Sequence, residues 1–294
     1  MSDLWIFWLL FVPAVVEAWI CLIFAKGLTA RKTGRQSPLT SPKLLIQITS
    51  RNAPEALLNN TIAHVQQAAK DAGLTGYRLW VVTDTPGYKH PNATTVLVPE
   101  SFTANCRYKA RALEYAKRER TRLGLAGDDW WIYYLDEENI VSGEALAAII
   151  WYISQQGKER PVAVGAITYV RSGSVISHLC DSVRTLGYIE AHFFMRYFGY
   201  FYLQGENILV RSDIEQVVGW EFGDALAEDL LNGIEFRRKT KVKFGWHGGT
   251  IQSPSPETIG DLMKQRRRWY CGGLQGVLKR KMPLWQRLHL GYRL

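Results

Sequence analysis

Residues Trp130-Trp131-Ile132-Tyr133-Tyr134-Leu135 run without a break into Asp136-Glu137-Glu138. An unbroken aromatic and aliphatic run of this length reads as a buried strand. Such a strand delivers its last side chains to a fixed place, and carboxylates crowded there repel one another unless a cation lies between them. A hard divalent cation carrying a phosphorylated ligand answers that need, because magnesium and manganese take oxygen donors. Acids at a helix N-terminus give the same letters for dipole reasons alone. The rest of the chain has to separate the two readings.

At 294 residues the chain can bury one large core or two modest ones. A hydrophobic fraction of 47% with 11 tryptophans excludes disorder. The net charge is +9, and its place matters more than its size. From Lys264 to the end there are nine Lys/Arg and no Asp or Glu, so the excess is local and suggests a surface facing phosphates. Cys21, Cys106, Cys180 and Cys271 lack paired metal-site spacing and fit reduced thiols better than a disulfide framework. His178, His192 and His247 lack metal-like spacing as well, and no role is assigned to them.

Leu4 to Phe24 is a run of 21 residues interrupted only by Pro13 and Glu17, with no Lys or Arg. As a helix it is long enough to cross a hydrocarbon core of ~30 Å. A cleaved signal would need a basic flank, and the residue there is Asp3. The expectation is a transmembrane anchor over residues 1–25 and a basic linker over 26–42. Lys26, Arg31, Lys32, Arg35 and Lys43 without acids predict that the following domain lies on the cytoplasmic side.

Beyond the linker, strands and helices alternate. Leu44 to Thr49 reads as a strand, Pro54 opens a helix through about Ala72, and Tyr77 to Thr83 is the next strand. Thr94 to Val98 is a short strand, Arg107 to Arg122 a basic helix, and the Trp130 strand follows. This alternation predicts a parallel, doubly wound sheet, in which ligands sit beyond the carboxyl ends of the strands. Arg51, Asp84 and Asp136 to Glu138 all fall at such ends and should converge on one cleft. Further on, Val162 to Val170 reads as a strand and the aromatic-rich stretch Ser174 to Leu203 as a helix on the core. Ile208 to Val210 and Val242 to Trp246 read as strands, and Leu230 to Lys239 as a helix opened by Glu228-Asp229. A basic helix starts near Glu257, and Pro283 to Leu294 predicts an amphipathic helix suited to a membrane interface.

Singly, these features are ordinary. Glu228-Asp229 serves any helix N-terminus, Gln265 to Trp269 any basic helix face, and Asp84 before Pro-Gly any turn. Their order is not ordinary. Asp84, the Asp136 cluster, the Gly205-x-Asn207 turn, Glu228-Asp229 and Gln265-x-x-Arg268-Trp269 follow one another along the chain. That series resembles the membrane-bound branch of the family 2 glycosyltransferases, which shares a D, DxD, ED, QxxRW pattern. Val82-Thr83-Asp84, Lys109-Ala110-Arg111-Ala112-Leu113, Leu135-Asp136-Glu137-Glu138 and the Gly205-x-Asn207 turn are most similar to the Egghead-type β-1,4-mannosyltransferases.

The resemblance implies an α/β fold of the glycosyltransferase-A (Rossmann-like) type: a mixed sheet flanked by helices, over residues 43–255. It also implies that residues 256–294 form the QxxRW helix and a basic interfacial segment. By this resemblance Asp84 holds the nucleotide base or ribose, with Arg51 in the first loop beside it. Lys109 faces the diphosphate, Asp136 the ribose, and Asp136 with Glu138 the metal, Mn2+ or Mg2+. Asp229 is the general base. Glu228, Gln265, Arg268 and Trp269 stand beside the acceptor and diphosphate. One base with no second carboxylate nucleophile implies inversion to a β-glycosidic bond. The implied donor is GDP-mannose, with UDP-glucose or UDP-N-acetylhexosamine as the alternative. The implied acceptor is a glycolipid or lipid-linked sugar at the membrane, with no nucleic-acid partner. With one predicted span, no polymer channel is expected. The competing reading is a non-catalytic, membrane-tethered module that binds anions through its basic C-terminal segment.

Overall fold

The structure is a computed structural model that describes residues 42–197, 203–279 and 282–293. The predicted span Leu4–Phe24 and nearly all of the basic linker lie outside the described residues. Within them, no helix is long and apolar enough to cross a membrane.

One seven-stranded sheet organises the described residues. It comprises β1 (Lys43–Ser50), β2 (Arg78–Thr83), β3 (Thr94–Leu97), β4 (Trp130–Asp136), β5 (Val162–Val170), β6 (Ile208–Arg211) and β7 (Phe244–Pro254), in the order β3-β2-β1-β4-β6-β5-β7. β1 pairs in parallel with both β2 and β4, so the chain winds one way to β2 and β3 and the other way to β4. The ends of β1 and β4 therefore open a crevice at the point where strand order reverses. The expectation of parallel pairing holds for this half. In the second half β6 runs antiparallel to both β4 and β5, which makes the sheet mixed.

The predicted strand at Trp130 is the clearest case of sequence dictating place. Its side chains alternate between two buried layers: Ile132 and Tyr134 enter one core, Trp131, Tyr133 and Leu135 the other. The first core lies under α2 (Tyr108–Arg122) and α6 (Glu228–Thr240), with Trp80, Leu113, Trp220 and Phe236. The second lies under α1 (Glu55–Asp71) and α3 (Gly143–Gln155), with Ile46, Val65, Ile149 and Tyr152. Burying each large side chain of this kind contributes roughly 1.5–3 kcal/mol. A charged group is buried among them. Arg120 donates to both oxygens of Glu215 at 2.6 Å, and Tyr134 and Trp220 also donate to that carboxylate. This pair braces β4 two residues before Asp136.

Several elements differ from expectation. Helix α3 was not anticipated, yet Ser142 caps it, its Oγ accepting from the Ala145 N–H at 3.2 Å. The short α5 (Ser212–Val218) was also not anticipated. The last strand runs on to Pro254 rather than ending at Trp246, because glycines let it kink and stay paired. Gly248 takes φ +75°, and the β5–β7 register shifts between Val164 and Ala166. A Cβ on Gly165 would lie 2.1 Å from the Gly249 carbonyl oxygen, so that close approach needs glycine. In α4 (Val175–Tyr197), Tyr188 and Met195 pack inward as expected of core, but Val175, Ile176, Leu179 and Val183 are exposed. The last two helices are α7 (Ile259–Lys279) and α8 (Leu284–Arg293), with Thr258 Oγ1 accepting from the Asp261 N–H at the start of α7.

Candidate active site

A cleft of about 870 Å³ opens beyond the carboxyl ends of β1, β2 and β4. Each candidate site residue named from the sequence lines it: Arg51, Asp84, Lys109, Asp136, Glu138, Glu228, Asp229, Gln265, Arg268 and Trp269. They arrive by two routes. Arg51, Asp84 and Asp136–Glu138 are strand-end residues, while Lys109, Glu228 and Asp229 stand in the first turns of α2 and α6. Helix α7 brings Gln265, Arg268 and Trp269 over the opposite wall.

At one end Arg51 Nε lies 4.0 Å from Asp84 Oδ2, and its guanidinium sits 5.9 Å from the centre of the Tyr108 ring. Tyr108 holds φ +55°, a left-handed conformation uncommon for a large side chain and found most often at functional sites. Among the described residues, Asp84 Oδ1 and Ser50 Oγ are buried here without a hydrogen-bond partner, as is Gln265 Oε1 on the far wall. Buried polar atoms left unpaired cost about 1–3 kcal/mol each, and all three belong to residues that line the cleft.

In the middle Lys109 ties the walls together. Its ammonium donates to Asp136 Oδ1 and, at 2.8 Å, to the Gly205 carbonyl. Burial pulls the ammonium down, but Asp136, Glu228 and Asp229 outweigh it and hold the group above its ordinary value. The Asp136 turn is closed by Asn139, whose Oδ1 accepts from the Asp136 N–H at 2.8 Å. Thr61 of α1 donates to the Glu137 carbonyl at 2.6 Å and fixes the acidic loop from below.

The acids outnumber the cation among them. Burial, then Glu206, Asp136 and Glu137, pushes Glu138 up to about 8. Burial and Asp136 push Glu137 and Glu206 up to about 7. Glu228 is raised to about 7 by burial and Asp229, and Asp229 is raised by burial against the pull of the Leu230 N–H and Lys109. A carboxyl raised this way is suited to taking up a proton. The donor set fits a hard divalent cation, since Asp136 and Glu138 offer only oxygen. Among the described residues no three His, Cys, Asp or Glu form a complete cage. Two carboxylates would leave the other positions to phosphate oxygens and water, as Mg2+ prefers.

On the α7 wall two guanidiniums lie over the Trp269 ring, Arg184 at 4.1 Å and Arg266 at 4.8 Å from its centre. Buried Asp181 of α4 pairs with both, at 3.5 Å and 2.5 Å. Arg184 also covers the Tyr169 ring at 4.9 Å. Asp181, Arg184 and Glu206 were not among the expected site residues, although each lines the cleft. Glu206 is the middle residue of the Gly205-x-Asn207 turn, so the turn itself was the available signal. Asp181 and Arg184 lie within the stretch read as core and gave no separate signal.

The fold has a counterpart among solved structures. The mannosyltransferase PcManGT from Pyrobaculum calidifontis, solved with GDP-Man and Mn2+, aligns with a TM-score of 0.61. The alignment covers 96% of this chain and 79% of that one at 15% identity. At that identity the likeness establishes the fold, a glycosyltransferase-A-like α/β architecture. Residues 131–294, more than half of the chain, match the model for glycosyl transferase family group 2, and the chain belongs to that family. It is 26% identical over 294 residues to the beta-1,4-mannosyltransferase egh of Drosophila melanogaster, covering 96% of this chain and 63% of that protein. It is 27% identical over 255 residues to the beta-1,4-mannosyltransferase bre-3 of Caenorhabditis elegans, covering 83% of this chain and 54% of that one. The chain thus spans between about half and two-thirds of the length of these relatives.

Proposed function

We propose that this chain is an inverting mannosyltransferase that moves mannose from GDP-mannose to a hydroxyl of a glycolipid or lipid-linked glycan, forming a β-glycosidic bond. One observation carries the reading. Asp229, Lys109 and the Asp136–Glu138 turn line a single cleft together with the Gln265-x-x-Arg268-Trp269 helix. The mannosyltransferase names of the relatives, and GDP-Man in the structural neighbour, favour this donor over a UDP-sugar.

Arg51 and Asp84, which line the cleft together, take the nucleoside end. Asp136 and Glu138 would hold Mn2+ or Mg2+, which when bound supplies positive charge against the diphosphate. Lys109 and Arg268 stabilise the same leaving group as its charge grows. Asp229, raised by burial, accepts the proton of the acceptor hydroxyl as that oxygen attacks the anomeric carbon. With Asp229 as the base, attack by the acceptor oxygen from the face opposite the diphosphate inverts the α-linked donor. Trp269, its ring in contact with the guanidiniums of Arg184 and Arg266, lines the acceptor side of the cleft.

The membrane is the proposed setting. Support comes from the apolar run Leu4–Phe24, the basic residues that follow it, and the exposed Leu274, Leu278, Leu284, Trp285 and Leu288 on α7 and α8. A domain on the cytoplasmic side follows from the basic linker.

Calorimetric titration of the full chain in detergent with GDP, UDP and their sugar conjugates, with and without Mn2+, tests the reading. Manganese-dependent preference for GDP supports mannose transfer. Preference for UDP keeps the mechanism and moves the product to glucosyl or N-acetylhexosaminyl transfer. Folded protein that binds neither nucleotide refutes the enzyme and leaves a membrane-tethered anion binder.

A further inference from the structure

We propose that Glu206 reads the hydroxyl groups of the hexose being transferred, and so sets which sugar the cleft accepts. The inference rests on the glycosyl-transfer reading above and adds a residue to it. Its geometry begins with the turn. Asn207 adopts φ +56° and is locked on all sides. Its side chain accepts from Tyr133 Oη at 2.8 Å and donates to the Ala166 and Gly249 carbonyls at 2.7 and 3.0 Å. Its own N–H donates to the Tyr134 carbonyl at 3.1 Å. A turn fixed this firmly aims its neighbours.

The neighbours bracket the place where a hexose must lie. On one side Gly205 gives its carbonyl to Lys109, and a Cβ there would stand 3.4 Å from Asp229 Oδ2. On the other side Glu206 Oε2 accepts from Asn139 Nδ2, and Asn139 in turn closes the Asp136 turn. The transferred sugar has to span from the diphosphate, beside Asp136 and Lys109, to the base Asp229. Gly205 and Glu206 line the cleft between those two points, with Asn207 buried behind them.

Glu206 has one oxygen held and one to offer. Oε2 takes Asn139 and, at 3.4 Å, Ser253 Oγ. Oε1 has no partner among the described residues, and the side chain lines the cleft. A carboxylate anchored by one oxygen presents lone pairs from a fixed point, which suits sugar hydroxyls, since each is a donor. A site that hydrogen-bonds a substrate hydroxyl rejects the analogue lacking it far more strongly than an apolar pocket rejects an added one.

Glu206→Gln is the test, because its amide oxygen can still accept from Asn139 while the group facing the cleft becomes a donor. Calorimetry with Mn2+ is run on parent and variant with GDP and with GDP-mannose, alongside thermal melting and donor kcat/KM. The expected result is unchanged melting, GDP affinity within about twofold, and affinity and kcat/KM for GDP-mannose lower by about 10- to 100-fold. Equal losses for GDP and GDP-mannose would place Glu206 at the diphosphate and overturn the inference, as would no loss for either. If the variant melts lower, Glu206→Asp, which keeps the carboxylate on a shorter arm, is measured the same way. Sugar-selective weakening there supports the inference, and its absence refutes it. A parent protein that binds no nucleotide would instead refute glycosyl transfer itself, an outcome visible before any variant is made.

Discussion

Lys109 and Asp136 form an ion pair across the centre of the cleft, joining the first turn of α2 to the end of β4. The same ammonium faces Glu228 and Asp229, so one cation mediates between the acids of two elements. Removing it leaves those carboxylates facing one another and the diphosphate without its nearest positive partner. Lys109→Met is expected to weaken GDP binding in Mn2+ by about 10- to 100-fold, the worth of a charge-assisted hydrogen bond. Calorimetry on the folded variant measures it.

Asp229→Asn separates binding from turnover. The amide keeps the shape of the side chain but cannot take up a proton at neutral pH. GDP-mannose affinity should stay within a few-fold of the parent while kcat falls by about 10²- to 10⁴-fold, the usual reach of a general base. A radiolabelled-donor assay against solubilised glycolipid acceptors reads the rate.

The buried pair under β4 predicts an asymmetric response. Glu215→Ala leaves Arg120 charged and fully enclosed, and should cost about 3–5 kcal/mol in urea unfolding. Arg120→Met combined with Glu215→Leu removes both charges and should regain most of that loss. If the double variant is as unstable as the single, the cost lies in packing and not in the stranded charge.

His247 sets an acid limit on stability. Its Nδ1 accepts from the Gly249 N–H at 3.1 Å and its Nε2 donates to the Asn207 carbonyl at 3.2 Å, so the neutral ring is satisfied at both nitrogens. Burial lowers its pKa from 6.5 to about 4. Between these values the unfolded chain binds a proton that the folded chain refuses. Stability from this group is complete above pH 6.5 and declines as pH falls toward 4, by about 3 kcal/mol in all. Melting temperatures of parent and His247→Gln should therefore draw together as pH drops from 7 to 4. A constant gap between the two curves would count against the assignment.

Asp181 positions Trp269 by holding both guanidiniums that flank it. Asp181→Asn should loosen the indole and raise acceptor KM several-fold, with GDP affinity and kcat at saturating acceptor little changed. The indole N–H resonance of Trp269, assigned among the 11 tryptophans by its loss in Trp269→Phe, gives an independent reading of the ring's freedom.

Much of this site is legible in the sequence because local rules place it. Asp84 and Asp136 end strands recognisable from their apolar runs, and Asp229 opens a helix marked by two acids at its start and basic residues in its last turn. Topology then brings them together. What stayed hidden depended on distant partners. Glu206 is the unspecified middle residue of its turn, whereas Asn207 carries the left-handed φ. Asp181 and Arg184 read as members of an aromatic helix, and their significance comes from Arg266 and Trp269, more than 80 residues later. The antiparallel β6 is invisible for the same reason: nothing in Ile208–Arg211 says which neighbour it joins. The extension of β7 to Pro254 depended on Gly165 meeting Gly249 across the sheet.

The cleft is assembled from strand ends and helix starts that come together only in the folded chain, which makes it a built-in thermometer of its own occupancy. A guest that binds the folded cleft and not the unfolded chain raises the midpoint of unfolding by mass action. A mixed panel of nucleotides and sugars, scored by melting alone, would therefore sort itself by fit. The molecule would report its preferred guest without any product being made.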